Sequence, residues 1–255
     1  GIKAIYLSGG GVANASYGLP ELDMTSREDV LEDVRRIRSA SELPLLVDID
    51  TGWGSALAIS RSIKEMISAG ASGVHIEDQV SEKRCGHRPN KEIVSCEEMV
   101  DRIKAAKDAQ TDDNFLLMAR TDAFAKGGLQ EVIDRSNAFI EAGAGAIFPE
   151  AISTLKDYEE ISKNVSKPIL ANITEFGMTP LFSHNELSNA GVKIVLHPLS
   201  AFRAMSKAAE KVYATLASGG DHEGLLDKMQ TRDELYDVLD YHMYEEKIDK
   251  LFEKK

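Results

Sequence analysis

Ala69-Gly70-Ala71-Ser72-Gly73-Val74-His75-Ile76-Glu77 contains the unit from which the chain is built: a helix closing on Gly, then a short apolar strand ending in an acid. The unit returns where Ala142-Gly143-Ala144 precedes Ala146-Ile147-Phe148-Pro149-Glu150, and where Ala190-Gly191 precedes Val192-Lys193-Ile194-Val195-Leu196. Short β-rich runs also occur at Pro44 to Val47, Phe115 to Ala119 and Pro168 to Ala171. Amphipathic helical stretches lie between them at Ala56 to Ala69, Glu97 to Ala109 and Leu129 to Ala142. Strands alternating with helices imply a parallel sheet and an α/β fold. Gly1-Ile2-Lys3-Ala4-Ile5-Tyr6-Leu7-Ser8 has the same Gly-then-strand form and brings the count to seven. A (β/α)8 TIM-type barrel needs one strand more, so the expectation is such a barrel with its first βα unit missing upstream of Gly1. An open seven-stranded sheet is the alternative.

Composition supports one domain over residues 1–255, with barrel units to residue 218 and a C-terminal helical extension over 226–255. At 255 residues and 43% hydrophobic content, a single large core can form. A formal net charge of -12 without a long Lys/Arg run argues against nucleic acid or an anionic membrane surface. Cys85 and Cys96 are the only cysteines, too few for a disulfide scaffold, and no secretory or membrane-spanning apolar run is present. The simplest compartment is the cytoplasm.

Parallel barrels place their chemistry where strands end. Those exits read Ser8-Gly9-Gly10-Gly11, Asp48-Ile49-Asp50, Glu77-Asp78, Arg120-Thr121-Asp122, Glu150, Asn172-Ile173-Thr174 and His197-Pro198. A spacing of two puts Asp48 and Asp50 on one face of a strand, and hard oxygen ligands suit Mg2+, with Mn2+ as the alternative. Glu77 at the next strand exit is the third candidate, acting through water, with Asp78 a less favoured helper. Ser8-Gly9-Gly10-Gly11 reads either as an anion nest of backbone N–H groups or as a flexible turn. Nucleotide-binding Gly motifs, a G-x-S-x-G elbow and a His-Glu-x-x-His zinc motif are absent from the sequence.

Lys83-Arg84-Cys85-Gly86-His87 adds a cysteine among cations, on a stretch that reads as loop through Gly86 and Pro89. Nearby positive charge draws a thiol toward thiolate, which suits a proton donor or acceptor at carbon. Cys96, beside Glu97 and Glu98 at a helix start, reads as structural.

Taken together, Tyr6-Leu7-Ser8-Gly9-Gly10-Gly11, Val47-Asp48-Ile49-Asp50-Thr51-Gly52-Trp53-Gly54, His75-Ile76-Glu77-Asp78-Gln79 and Lys83 to Lys91 resemble the isocitrate lyase and phosphoenolpyruvate mutase superfamily. Met118 to Asp122, Phe148 to Ala151, Ala171 to Gly177, Pro198 to Arg203 and Met229 to Arg232 continue the resemblance over essentially the whole chain. It is closest to the branch that cleaves 2-methylisocitrate in propionate catabolism, because Phe148 stands where isocitrate lyases carry a Trp and would leave room for one methyl. Ile49 departs from the family's usual Ala, which would modestly alter the pocket.

The resemblance implies a carbon–carbon lyase acting on a small tricarboxylate. It implies a cation held by Asp48 and Asp50, with Glu77 through water. Ser8, Gly9, Gly10, Gly86, Arg120, Glu150, Asn172, Ile173, Thr174, Arg203 and Arg232 would bind substrate. Cys85 would protonate the succinate carbanion, with His87 beside it. Tyr6 is the first candidate base, a metal-bound hydroxide the second, and ordinary barrel packing of Tyr6 stays open. Arg232 to Phe252, apolar at helical spacing, would exchange between subunits of a homotetramer.

Overall fold

Glycine at 70, 143 and 191 does what the repeat demands. Each adopts a left-handed backbone, with φ of 94°, 117° and 89°, at a helix end where a side chain would be strained. The computed structural model describes residues 1–81, 91–221 and 223–252. Lys83, Arg84, Cys85, Gly86 and His87 fall outside the described residues.

The chain runs β1 (Ile5–Leu7), α1 (Gly9–Gly11), a π turn over Val12–Ser16, α2 (Arg27–Ala40), β2 (Leu45–Asp48), α3 (Ala56–Ser68), β3 (Gly73–Glu77) and α4 (Cys96–Asp108). It continues through β4 (Leu116–Thr121), α5 (Phe124–Glu141), β5 (Ala146–Pro149), α6 (Leu155–Asn164), β6 (Leu170–Asn172), α7 (His184–Asn189), β7 (Ile194–Leu196) and α8 (Ser200–Ala217). A 3-10 segment at Glu223–Lys228, α9 (Arg232–Val238) and α10 (Tyr241–Phe252) complete it. Several helices open on a side-chain cap that accepts a backbone N–H otherwise left without a partner: Ser26 for α2, Ser95 for α4, Thr154 for α6, Ser183 for α7 and Thr231 for α9.

β1 to β5 form one parallel sheet in sequence order, β6 and β7 form a parallel pair, and an Ile147–Ile169 bridge links the two groups. Each strand beside its successor is the order of a (β/α) barrel wall, not of a doubly wound sheet, where the order reverses. The seven strands expected from sequence are the seven present among the described residues.

Strand alternation separates two apolar layers. Val47, Ile49, Val74, Ile76, Leu117, Ala119, Ile147, Ala171 and Ile173 join the large cluster that includes buried helix residues such as Val34, Ile63, Ile103 and Phe139. Met118, Ala146, Phe148, Leu170 and Leu196 form the other cluster, with Tyr6 and Leu46 against it. Ile49 therefore packs in the layer shared with the helices. This corrects the expectation that it shapes the pocket: a residue between two inward-facing positions must point outward.

The chain divides into two compact units, Gly1–Phe202 and Arg203–Lys255. In the second, the single amphipathic stretch expected over Arg232 to Phe252 is broken at Asp240, whose φ of 51° no continuous helix accepts. Val238, Leu239, Met243, Tyr244, Ile248, Leu251 and Phe252 are exposed there. Among the described residues, no helix is long and apolar enough to cross a membrane.

Candidate active site

The β2 exit turns a hydrophobic strand into two buried carboxylates. Asp48 and Asp50 are each about 2% exposed. Asp50 takes a left-handed φ of 50°, followed by Gly52 at 92° and Trp53 at 58°, so the turn that aims the second carboxylate is built from uncommon backbone. Asp48 accepts from the Gly9 N–H at 3.1 Å and from the Asp50 N–H at 3.0 Å. The Gly9 amide is thereby engaged by Asp48, which limits what the Ser8–Gly11 turn offers an anion. The turn itself is helical from Gly9 and passes into the π turn.

Gly9 also reveals where the two carboxylates point. A Cβ built at this position would lie 3.0 Å from Asp50 Oδ1 and 3.3 Å from Asp48 Oδ2. Both oxygens face the space that the missing side chain leaves open. Two hard, buried oxygens beside one such space fit a small divalent cation better than a soft one. Among the described residues, no group of three or more His, Cys, Asp or Glu side chains has metal-holding geometry.

Tyr6 and His75 complete this corner. The Tyr6 hydroxyl lies 2.8 Å from His75 Nε2 and 3.4 Å from Asp48 Oδ2, while His75 Nε2 is 3.5 Å from Asp48 Oδ1. The rings of Tyr6 and His75 stack, and Phe148 meets His75 edge-on. Burial, then the negative charge of Asp48, pushes the Tyr6 phenol well above its ordinary range. Sequence reading missed His75. The signal was available in the alternation, since His75 is two residues before Glu77 and shares its face.

The neighbouring corner is organised by Arg120 on β4. Its Nε and Nη2 reach the two oxygens of Asp122 at 2.9 and 3.2 Å, Nη1 meets Glu77 Oε2 at 3.0 Å, and Nη2 meets Glu150 Oε2 at 3.4 Å. Its guanidinium carbon sits 5.3 Å from the Phe148 ring centre. Burial alone would lower the Arg120 pKa, but Asp122, Glu77 and Glu150 outweigh it and hold the group firmly protonated. The bidentate edge that sequence reading assigned to a substrate carboxylate is thus occupied by Asp122. Lys91 also pairs with Asp122, and Asn172 Nδ2 donates to both oxygens of Glu150 at 3.3 Å. Behind Asp122, Asp78 accepts from the Thr121 hydroxyl and the Asp122 N–H and pairs with Arg135 at 3.2 Å.

Glu77 belongs to this ion-paired corner, with Gln79 Nε2 donating to its other oxygen at 3.0 Å. Its backbone N–H nevertheless bonds to Asp50 O at 2.9 Å, so the two corners adjoin. Thr174 and Asn172 are buried at the β6 exit. Ile173 faces the other way: its side chain is in the outer cluster and its N–H donates to Leu196 O. Arg203 and Arg232 belong to the second unit. Burial raises the Cys96 thiol above its ordinary range.

A parallel α/β barrel with buried carboxylates and an arginine at its strand exits is an enzyme for small oxygen-rich molecules, and the chain's relatives define the chemistry as that of a carbon–carbon lyase. The chain belongs to the phosphoenolpyruvate phosphomutase family, whose model matches residues 1–217, and within it to the branch of the 2-methylisocitrate lyases. The 2-methylisocitrate lyase of Vibrio cholerae is 60% identical over 258 residues, a match covering 99% of this chain and 84% of that protein. A 2,3-dimethylmalate lyase of the PEP mutase/isocitrate lyase superfamily is 31% identical with a TM-score of 0.88, covering 98% of this chain and 84% of that one. A phosphonopyruvate hydrolase, solved in complex with oxalate and Mg2+, is 28% identical with a TM-score of 0.85, covering 100% of this chain and 88% of that one.

Proposed function

We propose that this protein cleaves the C2–C3 bond of 2-methylisocitrate to give pyruvate and succinate. The observation that carries the reading is the convergence of Asp48 and Asp50 on the space left by Gly9, in a chain 60% identical to an enzyme of that name. Asp48 and Asp50 would hold a divalent cation, Mg2+ or Mn2+, with Glu77 acting through water, and the cation would supply Lewis-acid polarisation of the substrate.

The chain's own groups then carry the protons. The substrate hydroxyl proton passes to Tyr6 as the Tyr6 proton passes to His75 Nε2, so the phenol stays neutral throughout. The C2–C3 bond breaks as the hydroxyl carbon becomes the pyruvate carbonyl, and the bonding pair moves onto the succinate half, where the adjacent carboxylate delocalises it. Cys85 delivers a proton to that carbon, and its neighbours Lys83, Arg84 and His87 stabilise the thiolate that remains. Ser8, Gly10 and Gly86 hold the pyruvate half. Asn172 and Thr174 receive another carboxylate, while Arg120 fixes Glu77 and Glu150 in place.

The reading also includes a cytoplasmic homotetramer that buries the exposed apolar side chains of α9 and α10 by exchange. Product analysis tests the function: pyruvate and succinate in equal amounts from 2-methylisocitrate support it. Glyoxylate formed preferentially from isocitrate, or no product from folded protein supplied with Mg2+, overturns it.

A further inference from the structure

Asp78, a lesser candidate helper for the cation by sequence, is bonded elsewhere. It is fully buried and directly follows β3. Its Oδ1 accepts from the Asp122 N–H at 2.9 Å, and its Oδ2 accepts from the Thr121 hydroxyl at 2.7 Å. Arg135 of α5 adds its Nη1 to Oδ2 at 3.2 Å. The rest of that guanidinium is engaged as well: Nε donates to Glu131 at 2.6 Å and Nη2 to Val94 O at 3.0 Å. Thr121 in turn accepts the Ala123 N–H at 3.3 Å, at the turn where β4 passes into α5. One carboxylate thus grips the exit of β4.

The grip reaches the ion-paired corner through Asp122. Asp78 fixes the Asp122 backbone, and the Asp122 side chain fills the bidentate edge of Arg120, which also meets Glu77 and Glu150. A shift of the Asp122 backbone therefore carries the guanidinium with it, and both acids lose their fixed partner. Charge explains why Arg135 is needed. Asp78 and Asp122 are buried carboxylates on adjoining strand exits, and like charges so placed repel. Arg135 offsets the first, as Arg120 and Lys91 offset the second.

We propose that Asp78 is a positioning residue of the lyase reaction, acting through the Thr121–Asp122 backbone on Arg120, with Arg135 as its counter-charge. This rests on the lyase reading given above. Asp78 touches no substrate in it. Slackening the grip misplaces Glu77 and Glu150, so it lowers turnover more than it weakens substrate binding.

The test is steady-state pyruvate release from 2-methylisocitrate by full-length protein saturated with Mg2+. Thr121→Val removes the hydroxyl that Asp78 holds and keeps the side-chain shape, whereas Thr121→Ser keeps the hydroxyl. In Thr121→Val, kcat is expected to fall about tenfold with KM changed by less than about twofold, and Thr121→Ser should stay within about threefold of wild type. Asp78→Asn should lower kcat at least as far, and adding Thr121→Val to it should cost less than about a further twofold, because both changes break one contact. Thermal melts establish which variants fold, and the two Thr121 variants decide alone if Asp78→Asn does not. Wild-type kcat in folded Thr121→Val, a Thr121→Ser enzyme as slow as Thr121→Val, or losses that multiply in the double variant would overturn the inference. No pyruvate from wild-type protein would overturn the lyase reading itself, and the inference with it.

Discussion

Two corners of one barrel mouth handle buried acids in opposite ways. Around Arg120, the carboxylates of Glu77, Asp122 and Glu150 are matched by a guanidinium, and Asp122 also by Lys91. At β2, Asp48 is positioned by the N–H groups of Gly9 and Asp50 and by the Tyr6 hydroxyl. Ion pairing cancels charge as well as fixing geometry, whereas an N–H or O–H donor orients a carboxylate and leaves its charge in place. The comparison teaches that the Arg120 corner is held by charge, and that the Asp48 carboxylate is aimed by the backbone turns around it.

The largest expected effect comes from breaking the scaffold. Arg120→Met leaves three buried carboxylates without their shared cation and should destabilise the fold by about 3–5 kcal/mol in urea denaturation, the cost typical of stripping one partner from a buried ionic cluster. A loss below about 1 kcal/mol would show that the network is not ion-paired in solution. Gly9→Ala sharpens the other side of the comparison. Its Cβ would enter the space between Asp48 and Asp50, so Mn2+ affinity should fall about tenfold, or about 1.4 kcal/mol, with little change in melting temperature.

A subtler effect concerns acid. Burial alone would raise the Asp122 pKa, but Arg120 and Lys91 outweigh it and hold the carboxyl below its usual range. A carboxylate whose folded pKa lies below its unfolded value of about 3.9 contributes stability that is complete above that value. The contribution is lost as pH falls through the lowered folded value. Melting temperature followed from pH 5 down to pH 2 should therefore drop less steeply in Asp122→Asn than in wild type. Equal slopes would remove Asp122 from the ion-paired set. The smallest effect belongs to a pair outside both corners: breaking the exposed Lys163–Glu159 bridge with Lys163→Ala should change stability by no more than about 0.5 kcal/mol.

Much of this arrangement is legible in the chain. Gly after each helix marks where strands begin, and the period of two puts His75 with Glu77, and Met118 with Arg120, on one face of their strands. The same period turns Ile49 and Ile173 away, a parity that a list of strand-exit residues ignores. What sequence could not settle is competition among neighbours. Whether the guanidinium fork of Arg120 meets a substrate or Asp122 depends on a rotamer chosen among three nearby acids. The break at Asp240 was hidden because helical periodicity of apolar residues persists on both sides of one left-handed residue.

The measurement closest to the central claim is Mn2+ binding, followed by electron paramagnetic resonance, to the wild-type protein, Asp50→Asn and Glu150→Gln. The account predicts one tight site in wild type, its loss in Asp50→Asn and its retention in Glu150→Gln. Equal binding by wild type and Asp50→Asn, or loss on changing Glu150 alone, would contradict it.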